Sequence, residues 1–403
     1  MQKKIRASSS GFTPTTSQAY GWAFLRLGFR PFYLGAAIFS AMAVMAWIFI
    51  HQGFVLWVPP FTPVYWHAHE MLYGFVSAAI IGFLMTASKS WTGLATPRST
   101  HLATLAVLWL AARLAALWGP YWLYAVLDMT LLPIVAWILF RILQQSGKKR
   151  NVPLVGILFL MALANFMFHA GMIGLPNTSP LMSLHAMLAI VIILECIMAG
   201  RVIPAFSVSA NPGLNIKPSE YLEKSTLIIT ALSMLLWVIS VPSLNLLTSI
   251  ALIAAALLHV IQQIRWAPLL SKGKPLLWIL QISYAWLSIG LGLLALAQWG
   301  WVPGSAGIHS LSVGATGGLV IGMMSRTARG HTGRMIEPSK AEVYAFILII
   351  LAAFFRVLMP LIIPSQLNMA LMLAASAWSI AFLMYVWRFG PWLFQARVDG
   401  KDG

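Results

Sequence analysis

Cysteine is almost missing from this chain: Cys196 is the only one in 403 residues. A disulfide framework within the chain is therefore excluded. With no Cys-x-x-Cys-His in the sequence, so is a covalently attached c-type haem. Charge is scarce too, at 9% of residues, and negative charge scarcest, with 9 Asp plus Glu against 26 Lys plus Arg. A Walker motif, a Gly-rich dinucleotide fingerprint and a nucleophile elbow are all lacking, which excludes the chemistries built on them. The first thirty residues carry basic side chains but no apolar core with a cleavage site. They are not read as a signal peptide; the first apolar helix itself inserts.

What is present is apolar: 60% of residues are hydrophobic. Runs of about 18–24 apolar residues are long enough to cross a bilayer as helices. Twelve such spans are expected, at 31–51, 70–88, 101–118, 122–143, 152–174, 181–202, 225–242, 245–264, 276–298, 307–325, 341–362 and 367–387. The fold class is thus all-α integral membrane. A segment 1–30 precedes the transmembrane domain 31–387, and a tail 388–403 follows it. The net charge of +17 does not indicate nucleic acid, because of where the charges lie. Lys3, Lys4, Arg6, Arg26 and Arg30 precede the first span, and Lys or Arg follows every even-numbered one. The alternate loops, 52–66, 119–121, 175–180, 242–244, 299–306 and 363–366, carry none. That is the positive-inside pattern, and it predicts both termini in the cytoplasm.

Six of the nine histidines fall at the outer ends of these spans: His51, His67, His69, His169, His185 and His309. Imidazole is costly in lipid and is the commonest metal ligand, so a ring of them at one depth suggests a metal or haem layer. His51 and His67 are 16 apart, as are His169 and His185, and each pair opens on His-x-Gly. The spans divide into three sets of four, about 31–143, 152–264 and 276–387, with histidine starting the second helix of each. His67 and His185 both stand 15 residues before a glycine, and His69 and His309 both stand 13 before theirs. Three four-helix units of this kind are also the plan of the haem–copper oxidase catalytic subunit, an analogy of topology only.

The blocks Leu27-Gly28-Phe29-Arg30-Pro31-Phe32-Tyr33, Trp66-His67-Ala68-His69-Glu70-Met71-Leu72-Tyr73-Gly74-Phe75 and Gly82-Phe83-Leu84-Met85-Thr86-Ala87, with Trp91-Thr92-Gly93, resemble the NnrS family. Arg113, Gly200-Arg201-Val202-Ile203-Pro204 and Met324-Ser325-Arg326-Thr327-Ala328-Arg329-Gly330-His331-Thr332-Gly333 fit the same pattern. The resemblance implies a bacterial inner-membrane protein of twelve helices that carries haem and copper. It also implies a link to nitric oxide metabolism and to nitrosative stress.

On that footing the expected cofactor is haem b, with copper as the candidate second metal. His69 and His309 are expected as axial haem ligands, His67 and His185 as ligands to a second haem or to copper, and His51 and His169 as completing or orienting the site. Two residues apart on a helix point about 200° from one another, so His67 and His69 cannot both ligate one haem face. Arg113 and Arg356 are candidates for haem propionates, with interhelical pairing of Arg113 to Asp128 as the alternative. Glu195, ten residues past His185, is a candidate proton relay. Glu70 is placed near a helix start as a hydrogen-bond partner. His101, His259 and His331 are expected as polar loop or interface residues. Gly314-Ala315-Thr316-Gly317-Gly318 permits close helix packing or close approach of a macrocycle.

The expected function is reduction of nitric oxide to nitrous oxide, with electrons from quinol or a redox protein. The alternatives are a non-catalytic haem or copper protein that binds nitric oxide or protects cellular iron, and a transporter of copper, haem or another small solute. Threefold rather than inverted repeats speak against the transporter.

Overall fold

A computed structural model describes residues 21–54, 61–147, 149–217 and 219–403. Lys3, Lys4, Arg6, Trp57 and Lys148 lie outside the described residues. The described chain is all helical, and twelve helices are long and apolar enough to cross a membrane. They are α1 (Phe29–His51), α2 (Pro63–Thr92), α3 (Ser99–Trp118), α4 (Tyr121–Ser146), α5 (Val152–Met172), α6 (Pro180–Ala210), α7 (Glu220–Ile239), α8 (Pro242–Arg265), α9 (Pro275–Ala297), α10 (Gly304–His331), α11 (Lys340–Ile362) and α12 (Pro364–Phe394).

Counting apolar residues found each helix and clipped the polar ends of most, while the expected spans overran the C-terminal ends of α5, α7 and α9 by one to three residues. α2 starts seven residues before the expected position 70, because Pro63 can open a helix while the polar stretch around His67 and His69 lowers the apolar count. Ser179 caps α6, its hydroxyl accepting from Met182 N at 3.3 Å. α12 runs on to Phe394, so the expected tail from 388 begins later than its sequence suggested. Residues beyond it fold back: the Asp402 carboxylate takes Lys89 Nζ and Arg98 Nη2, both at 2.9 Å.

Sequence neighbours pack as antiparallel pairs, and α1 lies along α12, which closes the bundle. α2, α6 and α10 touch one another pairwise. α2 is the most enclosed, with 78% of its most apolar window buried. The glycines of α10 make its close packing on α9 and α12 feasible. A Cβ on Gly314 would come within 2.5 Å of Trp286, and one on Gly317 would strike Trp378. The Gly-rich stretch therefore serves helix packing.

Three helices carry π-helical stretches: Glu70–Val76 in α2, Ser310–Gly317 in α10 and Phe354–Leu358 in α11. The first two begin immediately after His69 and His309. The third contains Arg356. Such an extra residue per turn locally re-aims side chains and is frequent at functional sites.

Candidate functional site

His51, His67, His69, His169, His185, His309, Arg113, Arg356 and Asp128 all lie toward one end of the bundle, here called the histidine end. They do not form a single layer. The helical offset between His67 and His69 sends the two rings into different groups.

The inner group joins α2, α3, α4 and α5. His69 is fully buried and Glu70, Arg113, Asp128, Asn165 and His169 nearly so. Arg113 bridges two carboxylates, donating Nη1 to Glu70 Oε2 at 2.9 Å and Nη2 to Asp128 Oδ1. The interhelical pairing of Arg113 with Asp128 is thus the contact formed. Tyr124 donates to Glu70 Oε1 at 2.9 Å and lies 2.7 Å from His69 Nδ1. Asn165 donates Nδ2 to Asp128 Oδ2 at 2.7 Å, which turns its Oδ1 toward His69 Nε2 at 3.1 Å. His69 Nε2 therefore faces only acceptors, Asn165 Oδ1 and Asp128 Oδ2, and carries a hydrogen. His169 lies between Tyr121, 2.9 Å from its Nδ1, and Asp128 Oδ2, 3.3 Å from its Nε2.

Charge bookkeeping of this group is informative. Two carboxylates face one guanidinium, so with both imidazoles neutral the buried group is one positive charge short of balance. A proton on an imidazole or a bound cation supplies it. One ligand atom each from His69, Asp128 and His169 lies within 4.8 Å of the other two, close enough for one metal ion. A haem does not fit on His69 here. Its ring has no exposed surface, both nitrogens are engaged, and Phe168 and Tyr73 pack on it with centroids at 4.4 and 4.5 Å.

The outer group joins α1, α2, α10 and α11. Trp47 stacks on His67, centroid to centroid 4.9 Å and 13° from parallel, and also contacts the exposed His51 at 5.1 Å. His67 and His309 are close enough to feel one another's charge and that of Arg356. Arg356 makes no ion pair with an acid among the described residues. His309 donates Nδ1–H to the Ser305 carbonyl at 2.8 Å, one turn earlier on the same helix. That bond selects the tautomer with a lone pair on Nε2, the orientation a metal-binding imidazole needs. His67 Nδ1 is buried with no hydrogen-bond partner.

His185 stands apart, its ring 4.5 Å from that of Trp237 on α7. His69 and His309, matched by helix register, share no contact among the described residues, whereas His67 and His309 lie within electrostatic range of one another. His259 is not the interface residue expected. It is fully buried among α6 to α9, with Tyr284 Oη at 2.6 Å, Thr230 Oγ1 at 2.9 Å and Cys196 Sγ at 3.6 Å. Sequence reasoning missed Tyr121, Tyr124 and Asn165. A signal existed for Asn165: a lone amide in an apolar helix, four residues before His169 and so on its face.

Glu195 lies in mid-α6 and lines a cavity of about 100 Å³ walled by α1, α2, α6, α9 and α10. Its other walls are apolar apart from Tyr33, and Glu195 Oε2 is buried without a hydrogen-bond partner. Thr316, in the π-helical stretch of α10, faces it.

The family model described as NnrS protein matches residues 23–397. No curated protein matches the chain.

Proposed function

The chain belongs to the NnrS family, and from that premise we propose that it reduces nitric oxide to nitrous oxide, with the outer group at the histidine end as its haem site. The family links the chain to nitric-oxide-related metabolism; the reaction and the residues are our reading. Balanced, it is two nitric oxide molecules, two electrons and two protons giving nitrous oxide and water. Haem iron would supply a coordination site for nitric oxide and a path for electrons. Electrons would come from quinol or a redox protein, since the chain has no c-haem or nucleotide motif.

One observation carries the assignment. His67 presents a buried Nδ1 without a hydrogen-bond partner, and His309, within electrostatic range of it, is held by the Ser305 carbonyl in the tautomer that leaves a lone pair on Nε2. Neutral imidazole suits both iron and copper. Arg356, a half-buried cation beside both rings, suits a haem propionate. The inner group is the candidate copper site, with Asp128, His169 and, once its Nε2 gives up the hydrogen it carries, His69 as ligands, and with Arg113, Glu70, Tyr124 and Asn165 holding them in place. Glu195 sits between this end and the opposite, arginine-rich end, and can hold and pass a proton. The positive-inside pattern supports an orientation with the histidine end at the periplasmic face of the inner membrane.

Pyridine-haemochrome spectroscopy with metal analysis tests this on the purified protein. Haem b is expected in the native chain and lost in both His67→Ala and His309→Ala, with nitrous oxide formed when nitric oxide and reduced quinol are supplied. Haem retained in both variants sinks the assignment. Haem present with no nitrous oxide formed sinks catalysis and leaves a binding protein.

A further inference from the structure

A second concavity, of about 620 Å³, lies at the opposite end of the bundle, between the arginine-bearing ends of α2, α6 and α10. The function proposed above makes no use of its charge. Arg150, Arg201, Arg326, Arg397 and His331 line it, and no Asp or Glu does. Arg397 is engaged with Asp399 through two hydrogen bonds of 2.8 and 2.6 Å. The other three arginines have no ion pair with an acid among the described residues. Arg201 donates to Asn151 Oδ1 at 3.0 Å, and the Arg326 guanidinium lies 3.5 Å from the Phe206 ring centre. Arg150 is close enough to Arg201 to repel it.

Topology alone explains arginine at this end of the helices. It does not explain why three converge on an inward-facing bowl, two of them half-buried, rather than spreading over the lipid-facing rim. Like charges gathered in a concavity repel one another and raise the local concentration of anions. The floor of the bowl is of opposite character. Phe83, Met198, Val202 and Met323 line both this bowl and the apolar cavity that reaches Glu195. The cationic bowl therefore adjoins an apolar cavity toward the middle of the bundle, with these four side chains between them.

We propose that this bowl is a binding site for a phosphate-headed amphiphile. The head group would sit among Arg150, Arg201 and Arg326, whose planar forks match phosphate oxygens. The apolar portion would descend past Met198 and Met323 toward Glu195. A phosphomonoester lipid of the bilayer and a soluble phosphate share the head-group chemistry; the adjoining apolar cavity favours the one with an apolar chain.

The test titrates full-length protein in non-ionic detergent with dioctanoyl phosphatidic acid, dioctanoyl phosphatidylcholine and inorganic phosphate. Tryptophan fluorescence reports binding, because Trp91 lines the bowl. Saturable binding of the phosphatidic acid is expected, at least about tenfold tighter than either other probe and weakened about tenfold in an Arg201→Gln/Arg326→Gln double variant. Should that variant fail to fold, the exposed Arg150→Gln is expected to weaken binding about threefold by itself. No saturable binding, or equal binding by native protein and variant, overturns the proposal. Equal affinity for phosphatidylcholine shows adsorption to the protein–detergent surface and overturns it too. Inorganic phosphate binding as tightly as the lipid overturns the amphiphile. Haem content is not read here, so the result stands apart from the haem assignment.

Discussion

Asp128 on α4 and His169 on α5 meet 3.3 Å apart, Oδ2 to Nε2, with 3% of each side chain exposed. The same carboxylate receives Arg113 and the Asn165 amide. One acid thus ties together α3, α4 and α5, and through His69 reaches α2. A buried acid with so many partners is costly to remove and informative to change.

Asp128→Asn should therefore destabilise the protein by about 1–3 kcal/mol, because an amide cannot keep all the contacts to Arg113, Asn165 and His169, although Glu70 still balances the guanidinium. Thermal inactivation in detergent checks this. Adding Arg113→Met to Asp128→Asn is expected to deepen the loss, since Glu70 is then a buried carboxylate without its guanidinium. A double variant no worse than the single would show that the Glu70 charge is not what matters.

His185→Ala should retain haem. The ring packs on Trp237, tilted by 31°, and among the described residues makes no contact with His67 or His309. A haemochrome spectrum at native intensity is the expected result; loss of haem in this variant would bring α6 into the ligand set.

Glu195→Gln keeps the size of the side chain and removes its acidity. Fold and haem content should be unchanged, while nitrous oxide formation falls by about 10²-fold, the range of a lost proton-transfer group. Glu195→Asp should restore part of the rate. Unchanged turnover in Glu195→Gln would leave this carboxyl without a role in proton supply.

The docked tail should be sensitive to acid. Burial raises the Asp402 carboxyl, but the Lys89 hydrogen bond and the Lys89 and Arg98 charges outweigh it and hold the group below its ordinary value of 3.8. A depressed carboxylate contributes stability that is fully present above the ordinary value and is lost as pH falls through the lower, folded one. Hydrogen exchange of residues 395–403 should stay protected at neutral pH and rise in acid, below about pH 4. In Asp402→Asn it should be raised at every pH.

Gly314→Ala should cost about 1–3 kcal/mol by forcing α10 away from Trp286, the usual range for overpacking. Gly292→Ala, where nothing lies within 4 Å, is the control and should be near neutral. Thermal midpoints of the two variants decide this.

Much of this protein was legible in one dimension because a bilayer imposes one-dimensional rules. Apolar length gave the twelve helices, and the alternation of basic loops put His67, His169 and His309 at one end. Helical geometry separated His67 from His69. The repeat also suggested which histidines start equivalent helices. It could not say which of them meet, because register along a helix leaves open its rotation and its neighbours. Packing decided that His67 turns toward Trp47, His309 and Arg356, and that His69 turns into a closed network with Asp128, Asn165 and His169. It also placed His259 in a buried set with Tyr284 and Thr230, where sequence position alone suggested an interface. Helices, orientation and depth are properties of a chain in lipid and are written locally. Partnership between side chains from α1, α2, α10 and α11 arises only when those helices close on one another, and only the tertiary structure decided it.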